Sequence, residues 1–167
     1  MEIVFLSIGT NLGNRQRNLD KAVSGIKEFI GPVIKSSSVY ETEPWGFSTS
    51  HEFLNMVMKV ETMLDPIVLL GVIHKIETLL GRIRNEDKYI SRLIDIDILI
   101  YGNQVINEKD IKIPHPLMHE RRFVLVPMCE LEPDMLHPRL KMSYASLLMS
   151  CSDKCKVKLF RQQDNFS

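Results

Sequence analysis

The order of apolar segments along the chain constrains the fold most, because two helical patterns alternate with strand patterns. The first helical pattern lies between 15 and 30 and ends at Gly31-Pro32. The second begins at Asp65-Pro66, an N-cap followed by a first-turn proline, and ends at Gly81. Their apolar residues recur at helical spacing: Leu19, Ala22, Val23, Ile26, Phe29 and Ile30, then Leu69, Val72, Ile73, Ile76, Leu79 and Leu80.

Four further segments, 2–10, 33–41, 53–62 and 94–101, have the composition of strands. The resulting order of strand, helix, strand, strand, helix, strand is typical of the split βαβ arrangement in ferredoxin-like folds. We therefore predict an α+β ferredoxin-like sandwich, with a largely antiparallel sheet and the helices packed on one face. The C-terminal third is less regular, with a short helix predicted over 123–131.

Length and charge limit the classes of protein to consider. The 167 residues suffice for a single catalytic domain, predicted over 1–160, followed by a disordered polar tail over 161–167. Lys plus Arg and Asp plus Glu both number 21, so no broad field attracts nucleic acid or a membrane. Three cysteines and no apolar run of membrane-spanning or signal-peptide length predict a cytoplasmic protein with reduced thiols.

The strongest local signal for chemistry is the pair Asp95 and Asp97. Side chains alternate along a strand, so both carboxylates lie on one face, with α-carbons about 7 Å apart. Such a pair can bind Mg²⁺, which commonly uses one or two carboxylates together with substrate phosphates. The alternative is an amphipathic strand with a solvated acidic face.

Basic residues lie directly before this strand. Arg82, Arg84 and Arg92 can bind phosphate oxygens through their guanidinium groups and stabilise charge during phosphoryl transfer. The alternative is a solvated loop in which they pair with Glu86 and Asp87.

Two phenylalanines and an asparagine are candidates for binding a planar heterocycle. Phe53 and Phe123 can stack on such a ring, while Asn55 offers both a donor and an acceptor to its edge. Packing in the core is the alternative for each phenylalanine. His115 and His119 have the spacing of a helical metal pair, but the intervening Pro116 argues against that helix.

These residues give the chain a resemblance to 6-hydroxymethyl-7,8-dihydropterin pyrophosphokinases that extends from the first strand to about residue 138. The most specific stretch is Arg92-x-x-Asp95-Ile96-Asp97-Ile98-Leu99, followed by Tyr101-Gly102. Supporting stretches are Gly9-Thr10-Asn11-Leu12-Gly13, Tyr40-Glu41-Thr42-x-Pro44-x-Gly46, Phe53-Leu54-Asn55, Gly81-Arg82-x-Arg84 and Pro114-His115.

The resemblance implies an enzyme of folate synthesis that transfers pyrophosphate from ATP to 6-hydroxymethyl-7,8-dihydropterin and releases AMP. It implies that Asp95 and Asp97 bind two Mg²⁺ ions and that Arg82 and Arg92 are catalytic. ATP contacts are expected from Glu77, Arg84, Ile98, His115 and Arg121. Pterin contacts are expected from Thr42, Trp45, Phe53, Asn55 and Phe123.

The expected partners are therefore the two small-molecule substrates, with no nucleic acid and no membrane, and the expected state is a monomer. Two alternatives stay open at this point. A ferredoxin-like sheet can bind nucleic acid, although such sheets present aromatic and basic residues rather than paired acids. An inactive relative could serve as an interaction protein.

Overall fold

The computed structural model describes residues 1–46, 51–81 and 93–161, and within them it confirms the predicted order of strands and helices. Residues 162–167 of the predicted tail 161–167 lie outside the described residues. The elements of the predicted core are β1 (Glu2–Thr10), α1 (Arg15–Phe29), β2 (Val33–Ser36), β3 (Tyr40–Thr42), β4 (Phe53–Thr62), α2 (Pro66–Leu79) and β5 (Asp95–Tyr101). They are followed by β6 (Ile106–Asn107), β7 (Lys112–Ile113), a 3₁₀ turn (Met118–Glu120), α3 (Arg122–Leu131), α4 (Tyr144–Ser150) and β8 (Val157–Leu159).

The main sheet is antiparallel throughout its described pairings and has the order β5-β1-β4-β3-β8, with β2 also paired to β4. Strand β1 lies between β4 and β5, and β4 pairs in turn with β2 and β3. This is the ferredoxin-like arrangement predicted from the order of the elements.

The segment predicted as one strand over 33–41 is instead divided into β2 and β3. The cause lies at Ser37, which is buried. Its hydroxyl accepts the N–H of Val57 at 2.9 Å, a donor that a regular ladder would pair with a backbone carbonyl. The Ser37 N–H still donates to the Val57 carbonyl, so pairing continues on both sides of the interruption.

One face of the sheet, called here the first face, is covered by α1 and α2. Alternate residues of β1, β4 and β5 pack against the predicted apolar stripes of both helices, and Leu6, Leu54, Ile26 and Ile73 are fully buried there. Gly31 makes the sharp passage from α1 to β2 possible. Its φ is +151°, and a Cβ at this position would lie 2.1 Å from the Glu61 carbonyl oxygen.

α1 and α2 pack on one face as predicted, whereas α3 and α4, which the prediction did not place, cover the opposite face, called here the second face. Phe5, Val57 and Leu99 point to this side and form a second core with the helices. The helical members of that core are Val124, Leu125, Met128, Leu131, Tyr144 and Leu147.

The C-terminal segment returns to the main sheet. β8 pairs with β3 in antiparallel register, with Thr42 opposite Val157 and Tyr40 opposite Leu159. Cys129, Cys151 and Cys155 are free thiols, as predicted. Among the described residues, no helix has the length and apolar character needed to cross a membrane.

Candidate active site

The two aspartates lie on the second face of the sheet, beside the start of α3. In antiparallel pairs, residues directly opposite one another share a face. Asp95 is opposite Gly9, and Asp97 is opposite Ser7. Both carboxylates are partly exposed, whereas Ile96 and Ile98 point into the first core. The predicted alternation of acid and apolar side chains is therefore present.

A β-bulge in β5 follows the two aspartates. The register between β1 and β5 shifts between Phe5 and Leu6, so Leu99 becomes the extra residue on β5. Leu99 and Ile100 both belong to the second core. The polar end of the second face thus ends abruptly against packed apolar side chains.

Asn55 lies across β1 from Asp95, with Gly9 between them in the sheet. Gly9 is opposite both residues, on β4 and on β5 respectively. Asn55 is buried, and its Nδ2 donates to the Thr42 hydroxyl at 2.6 Å. Its Oδ1 lies only 2.6 Å from where a Cβ at Gly9 would be placed. The missing side chain at Gly9 therefore leaves room for the amide.

Aromatic and basic groups meet at the start of α3. The Arg121 guanidinium carbon lies 4.7 Å from the centroid of the Trp45 ring and 5.7 Å from that of the Phe123 ring. Both distances fall within the range of a cation–π contact. Phe53, opposite Thr42 in the sheet, is partly buried and points to the same face. The structure thus brings all five predicted pterin residues to one end of the second face.

His115 is partly buried beside this group. The His115 Nδ1 accepts the backbone N–H of Leu117 at 3.2 Å, and the backbone N–H of His115 donates to the Leu99 carbonyl. Burial, together with the positive charge of Arg121, lowers the pKa of His115 to about 4, although Asp95 acts in the opposite direction. The imidazole is therefore neutral near pH 7, with Nε2 carrying its proton.

Two residues expected to contact ATP have their side chains in the interior. Ile98 packs in the first core. Glu77, on α2, is 1% exposed, and its Oε1 accepts the N–H of Ile96 at 2.9 Å. This hydrogen bond joins α2 to β5 at Ile96, the residue between Asp95 and Asp97. The sequence contained a signal for this burial, since Glu77 follows Ile73 by four residues along the apolar stripe of α2.

The loop after β1 is fastened to the start of β5. The Thr10 hydroxyl donates to the Leu93 carbonyl at 2.5 Å, and Asn18 donates to both the Thr10 hydroxyl and the Leu12 carbonyl. Leu93 directly follows Arg92 in the chain, so the residue to which Arg92 is bonded is held close to Asp95.

Arg82, Arg84 and Arg92 lie outside the described residues, as does the stretch 47–50. Within the described ranges, no group of three or more His, Cys, Asp or Glu side chains is arranged to hold a metal. The carboxylates of Asp95 and Asp97 form a pair, and a pair of carboxylates suits a hard cation that completes its coordination with phosphate oxygens and water.

Comparison with known proteins identifies the family. The family model for 7,8-dihydro-6-hydroxymethylpterin-pyrophosphokinase matches residues 5–133. A 2-amino-4-hydroxy-6-hydroxymethyldihydropteridine pyrophosphokinase of Aquifex aeolicus is 42% identical, over 83% of this chain and 85% of its own. The enzyme of that name from Bacillus subtilis is 38% identical, over 77% of each chain.

A solved structure from Plasmodium falciparum, of an HPPK-DHPS protein, shares the fold with a TM-score of 0.74 at 19% identity. The match covers 89% of this chain and 43% of that one, so this chain spans less than half of the solved protein.

The fold and the match define an ATP-dependent diphosphotransferase. The chain belongs to the 7,8-dihydro-6-hydroxymethylpterin-pyrophosphokinase family. Its reaction is pyrophosphoryl transfer from ATP to hydroxymethyldihydropterin, in folate synthesis. Membership in this family argues against the alternative of a nucleic-acid-binding module.

Proposed function

We propose that pyrophosphoryl transfer takes place at the polar end of the second face, with Asp95 and Asp97 binding two Mg²⁺ ions. The observation that carries this proposal is the register of β5, which places both carboxylates on one partly exposed face beside Asn55 and the start of α3. Mg²⁺ bound there supplies positive charge that polarises the phosphate oxygens of ATP.

The pterin is proposed to lie between Phe53 and Phe123, with Trp45 beside them. Asn55 and Thr42 are already hydrogen-bonded to each other at the base of this region, which holds the amide in one orientation. Oδ1 of Asn55 is then available to accept from the amino edge of a pterin. Aromatic rings bind flat heterocycles through their faces, so this combination is suited to a pterin.

Arg121 and His115 are proposed to contact the ATP phosphates. Arg121 is cationic and presents a planar set of donors suited to phosphate oxygens. His115 contributes a neutral Nε2–H donor, because its Nδ1 is occupied by the Leu117 N–H. For Glu77 and Ile98, the interior positions of the side chains favour an indirect role through the backbone of β5.

In the proposed reaction, the hydroxymethyl oxygen of the pterin attacks the β-phosphorus of ATP. A bond forms between that oxygen and the β-phosphorus, the bond from the β-phosphorus to the α–β bridging oxygen breaks, and AMP leaves. The hydroxyl proton passes to water. Arg82 and Arg92 are proposed to stabilise the charge that moves to the bridging oxygen, because guanidinium groups bind such oxygens strongly, and Arg84 is proposed to contact the nucleotide.

The test is nucleotide analysis of the purified protein mixed with ATP, Mg²⁺ and 6-hydroxymethyl-7,8-dihydropterin. We expect AMP to appear in amounts that depend on the pterin. Formation of ADP instead would mean attack at the γ-phosphorus and would overturn the mechanism. Folded protein without turnover would indicate an inactive relative.

We further propose that the enzyme acts as a cytoplasmic monomer. The three described cysteines are free thiols, as is usual in a reducing compartment. Sedimentation of the active protein at its assay concentration tests the monomer, and cell fractionation tests the compartment.

A further inference from the structure

The segment 151–160 contacts both sides of the proposed pterin site, although it lies beyond the region 5–133 that the family model matches. One side of that site is the β3 loop, defined here as residues 42–45. The other is the start of α3, defined here as residues 121–123. Further along α3, the Glu130 carboxylate accepts a hydrogen bond from the Tyr40 hydroxyl of β3 at 2.7 Å.

Asp153 is the contact on the α3 side. Its Oδ2 accepts the N–H of Arg122 at 2.8 Å, and its Oδ1 accepts the N–H of Cys155 at 2.9 Å. Arg121, the N-cap of α3, makes no side-chain cap bond, so Asp153 supplies an acceptor that the helix lacks locally. The carboxylate also lies at the positive end of the helix dipole.

The residues directly after Asp153 form the contact on the β3 side. The Cys155 thiol lies 3.9 Å from the Pro44 carbonyl oxygen. Glu43 N–H donates to the Lys156 carbonyl at 3.2 Å, and Lys156 N–H donates to the Glu43 carboxylate at 2.9 Å. The strand pairing then continues from Val157 opposite Thr42.

One carboxylate therefore adds a link between two parts of the site that also meet through Arg121 and Trp45. Its hydrogen bond with Arg122 holds the start of α3, because Arg121 and Phe123 are the residues directly before and after Arg122. Through Cys155 the carboxylate holds the segment that pairs with the β3 loop. The contact between Arg121 and Trp45, with 4.7 Å from guanidinium carbon to ring centroid, lies where these two parts meet.

We propose that Asp153 is a positioning residue for the pterin site, which fixes the separation between the β3 loop and the start of α3. It does not touch the reacting atoms. The inference rests on the proposed location of the pterin between these two parts. A pterin that stacks on Phe123 and contacts Thr42 requires both to be held at a defined spacing.

The experiment compares full-length Asp153→Ala with the wild-type enzyme. We expect the KM for 6-hydroxymethyl-7,8-dihydropterin to rise about tenfold, the scale of losing a charge-assisted hydrogen bond. We expect kcat at saturating pterin to be retained, because Asp95 and Asp97 lie on β5 and are not held by this segment.

Glu132→Ala is the matched control. The Glu132 carboxylate contacts Lys59 of β4 at 2.6 Å and so fastens the opposite end of α3 to the sheet. This variant should lose stability as Asp153→Ala does, but its KM for the pterin should remain at the wild-type value. Equal increases of KM in the two variants would mean general loosening of α3 and would overturn the proposal.

Asp153→Asn provides a second, milder variant, because its amide retains one of the two acceptor oxygens. We expect a smaller rise in KM than for the alanine variant, but a larger rise than in the control. An unchanged KM in folded Asp153→Asn and Asp153→Ala would overturn the positioning role. A wild-type enzyme without pterin-dependent AMP release would instead overturn the proposed function on which this role rests.

Discussion

At the scale of single residues, Gly9 has the least room for change in the proposed site. A Cβ there would lie 2.6 Å from Asn55 Oδ1, and the amide cannot move freely because it is buried and bonded to Thr42. We expect Gly9→Ala to weaken pterin binding about tenfold, since the displaced amide loses its alignment. Fluorescence titration with the pterin would measure this change.

Gly71 supplies the control for that substitution. It lies on the exposed side of α2, and a Cβ there would meet nothing within 4 Å. Gly71→Ala should leave pterin affinity unchanged and stabilise the protein by about 0.5–1 kcal/mol, because alanine favours the helix. Undiminished pterin binding in Gly9→Ala would show that Asn55 does not read the pterin edge.

Asp97 is the residue whose loss should affect the chemical step most. Its neighbours Ile96 and Ile98 provide the core packing of β5, while its own side chain is partly exposed. We expect Asp97→Ala to fold normally and to lower kcat by about a thousandfold or more, the scale for removing transition-state stabilisation. Single-turnover measurement of AMP release would test this.

Asp20→Ala is the appropriate comparison for Asp97→Ala. Asp20 is an exposed carboxylate on α1 that accepts a hydrogen bond from Gln16 at 3.0 Å, away from the second face. This variant should turn over at the wild-type rate. Near-normal turnover in Asp97→Ala would rule out the assignment of that carboxylate as a metal ligand.

At the scale of elements, the contact between α2 and β5 connects a structural helix to the proposed metal site. Glu77 accepts the Ile96 N–H at 2.9 Å while 1% exposed, so its loss leaves a buried donor without this partner. We expect Glu77→Ala to destabilise the fold by about 2 kcal/mol and to raise the Mg²⁺ concentration needed for half-maximal rate. Urea unfolding and Mg²⁺ titration would measure the two effects.

Glu77→Gln separates these effects from the loss of negative charge. Its amide oxygen can still accept from Ile96, so stability and Mg²⁺ dependence should stay close to those of the wild type. If the glutamine variant lost activity as fully as the alanine variant, the charge of Glu77 would matter directly and the positioning role would be wrong.

The sequence predicted the elements whose pattern is local. The bounds of β1 and β4 agree with the prediction, and α1, α2 and α3 differ from it by little, because each has a sustained apolar period. The break at Ser37 depends on a hydroxyl that bonds to Val57 on another strand, which no local pattern encodes. α4 and β8 are too short for a period to be recognised.

The site was predictable to a similar extent. Alternation along β5 suffices to place Asp95 and Asp97 together. The meeting of Trp45 and Arg121 depends instead on α3 packing across the second face, a contact between segments far apart in sequence. The role of Asp153 could not be predicted, because an isolated aspartate in a polar segment has no distinguishing pattern.

At the scale of the whole molecule, the buried His137 and the partly buried His115 make stability depend on pH. Burial, followed by the charges of His119, Arg139 and Lys141, lowers the pKa of His137 to about 4. Burial and Arg121 lower that of His115 to about 4 as well. An unfolded histidine has a pKa of about 6.5, so between these values the unfolded chain binds more protons than the folded one.

Stability is therefore expected to be greatest above about pH 6.5 with respect to these groups, and to fall as the pH decreases towards 4. Urea unfolding at a series of pH values would show the slope. His137→Asn should reduce it, because asparagine can still accept the N–H groups of Arg139 and Leu140 but does not titrate. An unaltered slope in that variant would exclude His137 as a contributor.

The covering of one sheet by helices on both faces has a consequence for how this enzyme can adapt. The face packed by α1 and α2 meets the proposed chemistry chiefly through Glu77, whereas the face packed by α3 and α4 shares its end with the substrates. Selection for heat or cold tolerance can therefore act on the first set of helices with little effect on turnover. Changes in substrate preference would arise mainly on the second set, so stability and substrate preference can evolve at separate rates in this enzyme.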